Sequence, residues 1–334
     1  MPHELGSLAS FALRGAESLI ARSGGGGRLS ILVYHRVLAR ADAMFAGEVD
    51  AAAFDWQMAL LAEHFQVLPL LEAVRRLRDG TLPPWAACVT FDDGYADNYD
   101  VALPILQKWQ VPATFFVATA YLDGGWMWND AVIEAVRQAP GETLNLTPLG
   151  LSCHSLATPR LRRKAAATII ACLKYLPPEQ RRTAVWRVLH RASAKLPDSP
   201  MMSSGQVRAL HNAGMEIGGH TVSHPILAGL DQAAAYAEIA DGKEQLERIG
   251  AGAVRLFAYP NGKPGRDYRH EHVEMVKRCG FAAAVSTAWG AAGAAGDSFQ
   301  LPRFTPWDGT PLRFGLRLLQ NARREGQLAG IPAG

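Results

Sequence analysis

Cysteine is scarce and shows no pattern. Cys88, Cys153, Cys172 and Cys279 are the four in 334 residues, with no Cys-x-x-Cys spacing among them. That argues against a disulfide scaffold and for structural thiols in a reducing compartment, Cys88 itself standing in an apolar strand. An excess of one charge is also lacking. The 34 basic and 31 acidic residues leave a net charge of +3, too mild for a nucleic-acid binder, so no nucleic-acid partner is expected. No apolar run approaches the ~18 residues that a membrane-spanning helix needs. Residues 1–22 lack a basic leader and are interrupted by Arg14, Glu17 and Arg22, which speaks against a secretory signal. The expectation is a cytoplasmic protein. Leu5, Leu8, Ala12, Leu19 and Ile20 could form the apolar side of a terminal helix packed on the fold. The alternative is a peripheral contact of that helix with the inner face of a membrane. Repeats and low-complexity tracts are missing too, residues 288–297 being only a Gly/Ala-rich loop.

What is present is an ordinary globular composition, 49% apolar and 19% charged, and one conspicuous stretch. Cys88-Val89-Thr90-Phe91 is a short apolar and β-branched run that reads as a buried strand. It ends in Asp92, Asp93 and Gly94. Two adjacent carboxylates are costly to bury without a cation or donors to neutralise them. A glycine beside them lets the chain leave the strand sharply, so both can point into one cleft. Far along the chain, Met215 to Gly219 is another short run of the same kind, followed by His220 and His224. Imidazoles at i and i+4 share one face of a helical turn and can grip a single metal ion. Two histidines and one carboxylate leave coordination positions open, as a catalytic divalent ion requires. The second carboxylate then stays free to take a proton from an activated water.

Strand and helix alternate on either side of these motifs. Strands are expected over 30–37 (with His35 near its end), the Asp92-Asp93 strand, 113–118, the histidine strand, 254–259, 281–287 and 299–304. Helical spacing marks 54–65, 70–78, about 98–109, 204–212, 231–249 and about 268–279. Residues 120–203 interrupt the rhythm with a helical stretch opened by Trp126, Trp128, Asn129 and Asp130. A loop over 140–160 and a basic helical segment over 160–191 follow. This insertion reads as a solvated helical subdomain, or as a lid on which Trp126 or Trp128 stacks on a sugar. About seven parallel strands with helices between them define the fold class: α/β, a distorted (β/α) barrel with a helical insertion. The expected division is a helical segment and Gly-rich joint over 1–28, the barrel over 29–310 and a C-terminal helix and tail over 311–334.

With these pieces in place, the chain resembles the polysaccharide deacetylases (carbohydrate esterase family four) over roughly 30–305, much of the insertion excepted. Thr90-Phe91-Asp92-Asp93-Gly94 is similar to the family's first motif and His220-Thr221-Val222-Ser223-His224 to its second. The resemblance implies a distorted (β/α) barrel that hydrolyses N-acetyl or O-acetyl groups on sugars with a divalent metal, often Zn2+. It implies Asp92 as general base and Asp93, His220 and His224 as metal ligands. Two departures stand out. Ala258-Tyr259-Pro260-Asn261-Gly262 occupies the third motif, with Ala258 where the family carries an arginine. A backbone N–H at Asn261 remains to stabilise an oxyanion, and Arg303 is the candidate to replace the missing guanidinium. The family's late Leu-x-His is also not found. Tyr34-His35 is similar to the early Tyr-His of members acting on poly-N-acetylglucosamine, which makes His35 the candidate acid, ahead of His270 and His272.

The expected activity is metal-dependent removal of an N-acyl group, acetyl by expectation, from an amino sugar of a polysaccharide or glycolipid. Two alternatives remain: a deformylase or deacetylase of a lipid-linked sugar, and an inactive carbohydrate-binding barrel. The second would show loss of a metal ligand or of the base, and neither is lost here.

Overall fold

The computed structural model describes residues 27–196, 200–305 and 308–323. The helix expected within 1–22, and with it the expected membrane contact, lies outside these residues. Seven strands form the barrel in chain order: β1 (Arg28–Tyr34), β2 (Ala86–Phe91), β3 (Ala113–Val117), β4 (Glu216–Gly219), β5 (Leu256–Ala258), β6 (Ala283–Trp289) and β7 (Leu301–Arg303). Each pairs in parallel with the next. Closure comes just past β7, where Phe304 N–H donates to the Ile31 carbonyl and Val33 N–H to the Phe304 carbonyl, both at 3.0 Å. The expected seven-strand parallel barrel is therefore what the chain forms. Two short strands add to its rim: Gln66–Val67 pairs with β2, and Ala292–Gly293 runs antiparallel to β1. The Gly/Ala-rich loop expected over 288–297 thus contributes an edge strand.

Helices cover the outside, which is why β2 is buried at every position and almost wholly apolar rather than alternating. Before the insertion come α1 (Ala51–His64), α2 (Leu70–Arg78) and α3 (Leu103–Trp109). Within it are α4 (Trp128–Gln138), α5 (Pro159–Leu173) and α6 (Pro178–Arg191). After it follow α7 (Ser204–Asn212), α8 (Gln232–Arg248), α9 (His270–Arg278) and α10 (Pro311–Arg323). Leu32, Tyr34, Val89, Phe91, Phe115 and Val117 pack outward against the outer helices. Phe91 stacks on Phe115 with ring centroids 4.7 Å apart, worth about 0.5–1.5 kcal/mol beyond the area buried.

The opposite faces of the strands form the inner core: Ile31, Cys88, Phe116, Leu256, Ala258 and Val285, joined by Leu70, Val74 and Leu77 of α2. Helix α2 thus closes the end of the barrel where the strands begin. Its N-cap residue, Pro69, has no side chain that can cap the first turn. Glu216 at the start of β4 supplies one, accepting from Leu70 N–H at 2.7 Å and from Thr114 Oγ1 at 2.7 Å. The interior is narrow. A Cβ on Gly218 would fall 2.4 Å from the Phe116 ring, so β4 passes this point only as glycine. One end is plugged, and the carboxyl ends of the strands are left for a site.

The insertion has its own apolar core, including Val132, Val136, Ile169, Val185 and Val188. The loop expected over 140–160 contains a two-stranded antiparallel ribbon, Thr143–Asn145 with Cys153–Ser155. The helical stretch expected over 160–191 is two helices, because Pro177 and Pro178 end one and begin the next. Its basic residues are partly internal: Arg162 Nη1 donates to the carbonyls of Val136, Arg137 and Ala139 at the end of α4. The structural-thiol expectation holds for Cys88 and fails for Cys153 and Cys172, which are exposed.

Candidate active site

Every site residue expected from the sequence lies just past the carboxyl end of a barrel strand or at its last position. His35 follows β1, Asp92 and Asp93 follow β2, His220 follows β4, Asn261 lies three residues past β5, and Arg303 ends β7. His224 lies five residues past β4, and six of the seven candidates, His35, Asp92, Asp93, His220, His224 and Asn261, line one cleft of about 460 Å³. Arg303 lies beneath it.

Asp92 and Asp93 are adjacent, yet they turn to different partners. Arg303 grips Asp92 with both ends of its guanidinium, Nη1 to Oδ1 at 2.7 Å and Nη2 to Oδ2 at 2.6 Å. Its Nε donates to the Ser286 carbonyl at 3.0 Å, and Nη1 also reaches Thr90 Oγ1 at 3.2 Å. The arginine is 1% exposed. A buried ion pair holds only when geometry and extra hydrogen bonds offset desolvation, and both are present here. Burial pushes the Asp92 carboxyl up, but the charge and hydrogen bonds of Arg303 outweigh it and hold it below the usual carboxylate range. Asp93 faces the histidines. Its Oδ1 lies 3.4 Å from His220 Nε2 and 3.4 Å from His224 Nε2, and it has no hydrogen-bond partner among the described residues. Burial raises the Asp93 carboxyl, and the His224 and His220 imidazoles beside it more than reverse this, leaving it below the usual carboxylate range.

The histidine loop differs from expectation in its local form. Residues 220–224 do not make a helical turn; Thr221 and His224 take left-handed backbone conformations, with φ of 67° and 52°. Asp93 (76°) and Asn261 (61°) do the same. Non-glycine residues with positive φ are uncommon, and they persist where the surroundings over-determine them. Glu238 of α8 supplies that constraint for the loop, accepting from Val222 N–H at 2.9 Å, Ser223 N–H at 2.8 Å and Ser223 Oγ at 2.6 Å. A Cβ on Gly242 of the same helix would come within 2.9 Å of the Thr221 backbone. His220 Nδ1 lies 2.7 Å from the Ala258 carbonyl. A carbonyl can only accept, so this nitrogen carries the proton and Nε2 presents its lone pair toward Asp93. Burial lowers the His224 imidazole to about 4, leaving it neutral at pH 7. Asp93, His220 and His224 together offer three ligand atoms within 4.8 Å of one another.

A family model for polysaccharide deacetylases matches residues 79–284. The chain belongs to the polysaccharide deacetylase family. YxkH of Bacillus subtilis (strain 168), whose name assigns it provisionally to the same family, is 22% identical over 79% of this chain. The match spans just under two thirds of that relative, 66% of its length. Among solved structures, the deacetylase PplD of Streptococcus pyogenes is 23% identical with a TM-score of 0.58, over 89% of this chain and 99% of that one. IcaB of Ammonifex degensii is 18% identical with a TM-score of 0.57, over 89% and 98%. These two likenesses establish the family's barrel fold for this chain.

Two further members of the cleft repay comparison with expectation. The Asn261 carbonyl accepts from Thr287 Oγ1 at 2.7 Å, while among the described residues its N–H donates to no acceptor. For His35, burial lowers the imidazole, but the carboxylates of Asp93, Asp92 and Glu48 raise it further, to a net value above the ordinary one. The rival histidines are elsewhere: His270 is half exposed on α9, and His272 Nδ1 accepts from Arg269 N–H at 2.9 Å in capping that helix. Of the two tryptophans proposed for sugar stacking, Trp128 lines the cleft, with the Arg181 guanidinium 5.0 Å over its ring. Trp126 does not; its ring packs edge-on against Trp186, within the insertion. Sequence reasoning assigned no role to Arg36, Glu48 or Asp130, which also line the cleft. Each lies outside the two motifs and carries no spacing signal of its own.

Proposed function

We propose that the protein is a metal-dependent N-deacetylase of an amino sugar, acting on a polysaccharide or glycolipid. The observation that carries this reading is the opposed partnering of the two aspartates: Asp92 is held by Arg303, while Asp93 faces two histidine nitrogens with a buried oxygen that has no donor among the described residues. The residues fit a divalent ion, because a donor separation of 3.4 Å is the edge of a tetrahedron with arms of ~2.1 Å, the usual zinc distance. Asp93, His220 and His224 would hold it. Such an ion supplies Lewis acidity for the acyl carbonyl and lowers the pKa of a water for attack.

The chain's own residues account for the rest. Asp92, kept ionised by Arg303, takes the proton of the attacking water. The Asn261 N–H is placed to donate to the oxygen that gains charge as the carbonyl carbon becomes tetrahedral. His35 gives a proton to the departing nitrogen, since an amine anion is a very poor leaving group. Zinc-loaded protein should release acetate from acetylated amino-sugar oligomers, with a matching mass loss in the sugar. Acetylated oligomers and lipid-linked sugars left unchanged under the same conditions would overturn the reading.

Two outcomes test the supporting parts. His35→Gln should lower kcat by roughly 10²–10⁴ with zinc affinity unchanged; a near-normal rate across pH would remove His35 from the mechanism. Glu238→Gln should weaken zinc binding by about 10–100-fold, read by competition with a chelator, because the loop that presents His224 loses a charged anchor. Unchanged affinity would show that the loop holds its shape without Glu238.

A further inference from the structure

One buried acid of the cleft has no part in the reaction just described. Asp130 stands in the first turn of α4, on the wall that the insertion contributes, and is 4% exposed. Tyr95 Oη donates to its Oδ1 at 3.2 Å. Its Oδ2 is buried and has no hydrogen-bond partner among the described residues. Buried carboxylate oxygens are almost always matched with a donor, so one that is unmatched at the wall of a cleft awaits a donor from outside the chain.

The surroundings narrow the choice of donor. Arg36 supplies positive charge nearby; its Nε pairs with Asp97 at 2.8 Å and its guanidinium lies 4.7 Å over the Tyr95 ring. Lys174 and Lys263 also line the cleft. A second cation is poorly served there, whereas a neutral hydroxyl is not. Burial pushes the Asp130 carboxyl up to about 7, in keeping with an acid that lacks a full set of donors.

We infer that Asp130 Oδ2 accepts a hydrogen bond from a ring hydroxyl of the amino-sugar substrate, so that the insertion takes part in substrate recognition. This rests on the deacetylase reading for the nature of the sugar but not for the existence of the site. In its ionised form Asp130 can only accept, and Asp130→Asn places an amide of equal size there, turning an acceptor face into a mixed one.

The test is calorimetric binding of a β-linked N-acetylglucosamine tetramer, and of analogues lacking one hydroxyl at a time, to zinc-loaded protein. Both Asp130 and Asp130→Asn are titrated in the turnover-deficient Asp92→Asn background, with acetate release by the protein with Asp92 intact followed in parallel. Asp130→Asn should weaken the tetramer by about 10–100-fold, the scale of a hydrogen bond to a charged group. One deoxy analogue should show a similar loss against Asp130, and no further loss against Asp130→Asn. Equal binding by the two proteins, or a deoxy loss that persists undiminished in Asp130→Asn, would overturn the inference; the second result is what a purely structural Asp130 would give. The expected pattern without acetate release would uphold Asp130 and overturn the deacetylase reading. No binding of any sugar would overturn both.

Discussion

Asp92→Asn is expected to abolish measurable deacetylation, a fall of roughly 10²–10⁴ or more, while zinc affinity stays unchanged. Asp93→Asn should instead release zinc to a chelator that the unaltered protein resists. The two residues are neighbours of the same chemical type, so their separation is a strict test of geometry over composition. Arg303 occupies both oxygens of Asp92, whereas Asp93 Oδ1 faces His220 and His224. The asparagine amide at 92 offers Arg303 one carbonyl but leaves its charge unpaired, so the unchanged zinc affinity is the control that separates lost turnover from a collapsed site. Equal zinc loss in the two variants, measured by metal content after dialysis, would contradict this division of labour.

Arg303→Met should be the most destabilising single change in the site, at about 3–5 kcal/mol in denaturant unfolding. The cost arises from the carboxylate left behind: Asp92 is 3% exposed and would have to stay buried without its counter-ion or take up a proton. Arg303→Lys should restore the charge but not the two-pronged grip, and recover only part of the loss. Adding Asp92→Asn to Arg303→Met should give back stability, because the uncompensated charge is then gone. A double variant as unstable as the sum of the singles would show that the pair does not act as a unit. Activity should fall in Arg303→Met as well, since the base loses the cation that keeps it ionised and aimed.

The strand ends were legible because short apolar runs stopping at Asp92-Asp93-Gly94 and Gly218-Gly219-His220 have few structural uses other than delivering polar groups from a buried sheet. The seven-strand count followed from the alternation of such runs with helical spacing. The histidine pair was legible as a pair and not as a shape. Spacing alone favours a helical turn, but Thr221 and His224 adopt positive φ under the hold of Glu238, a residue of a different helix. The ribbon at 143–155 was missed because its strands are three residues each, too short for a periodic signal.

The sequence by itself determined the parallel barrel, the family and the residue types gathered at its carboxyl end, because burial periodicity and adjacent motifs are local properties of a chain. Tertiary structure alone decided which aspartate meets a cation and which meets the histidines. Arg303 stands 211 residues from Asp92 in the chain, and only closure of the barrel past β7 brings them within hydrogen-bond reach. It also decided that Asp130, an ordinary acid of a helix's first turn by sequence, has on the wall of the cleft an oxygen unmatched among the described residues. Whether a buried polar atom is satisfied depends on groups from several elements at once, and no stretch of sequence contains them all.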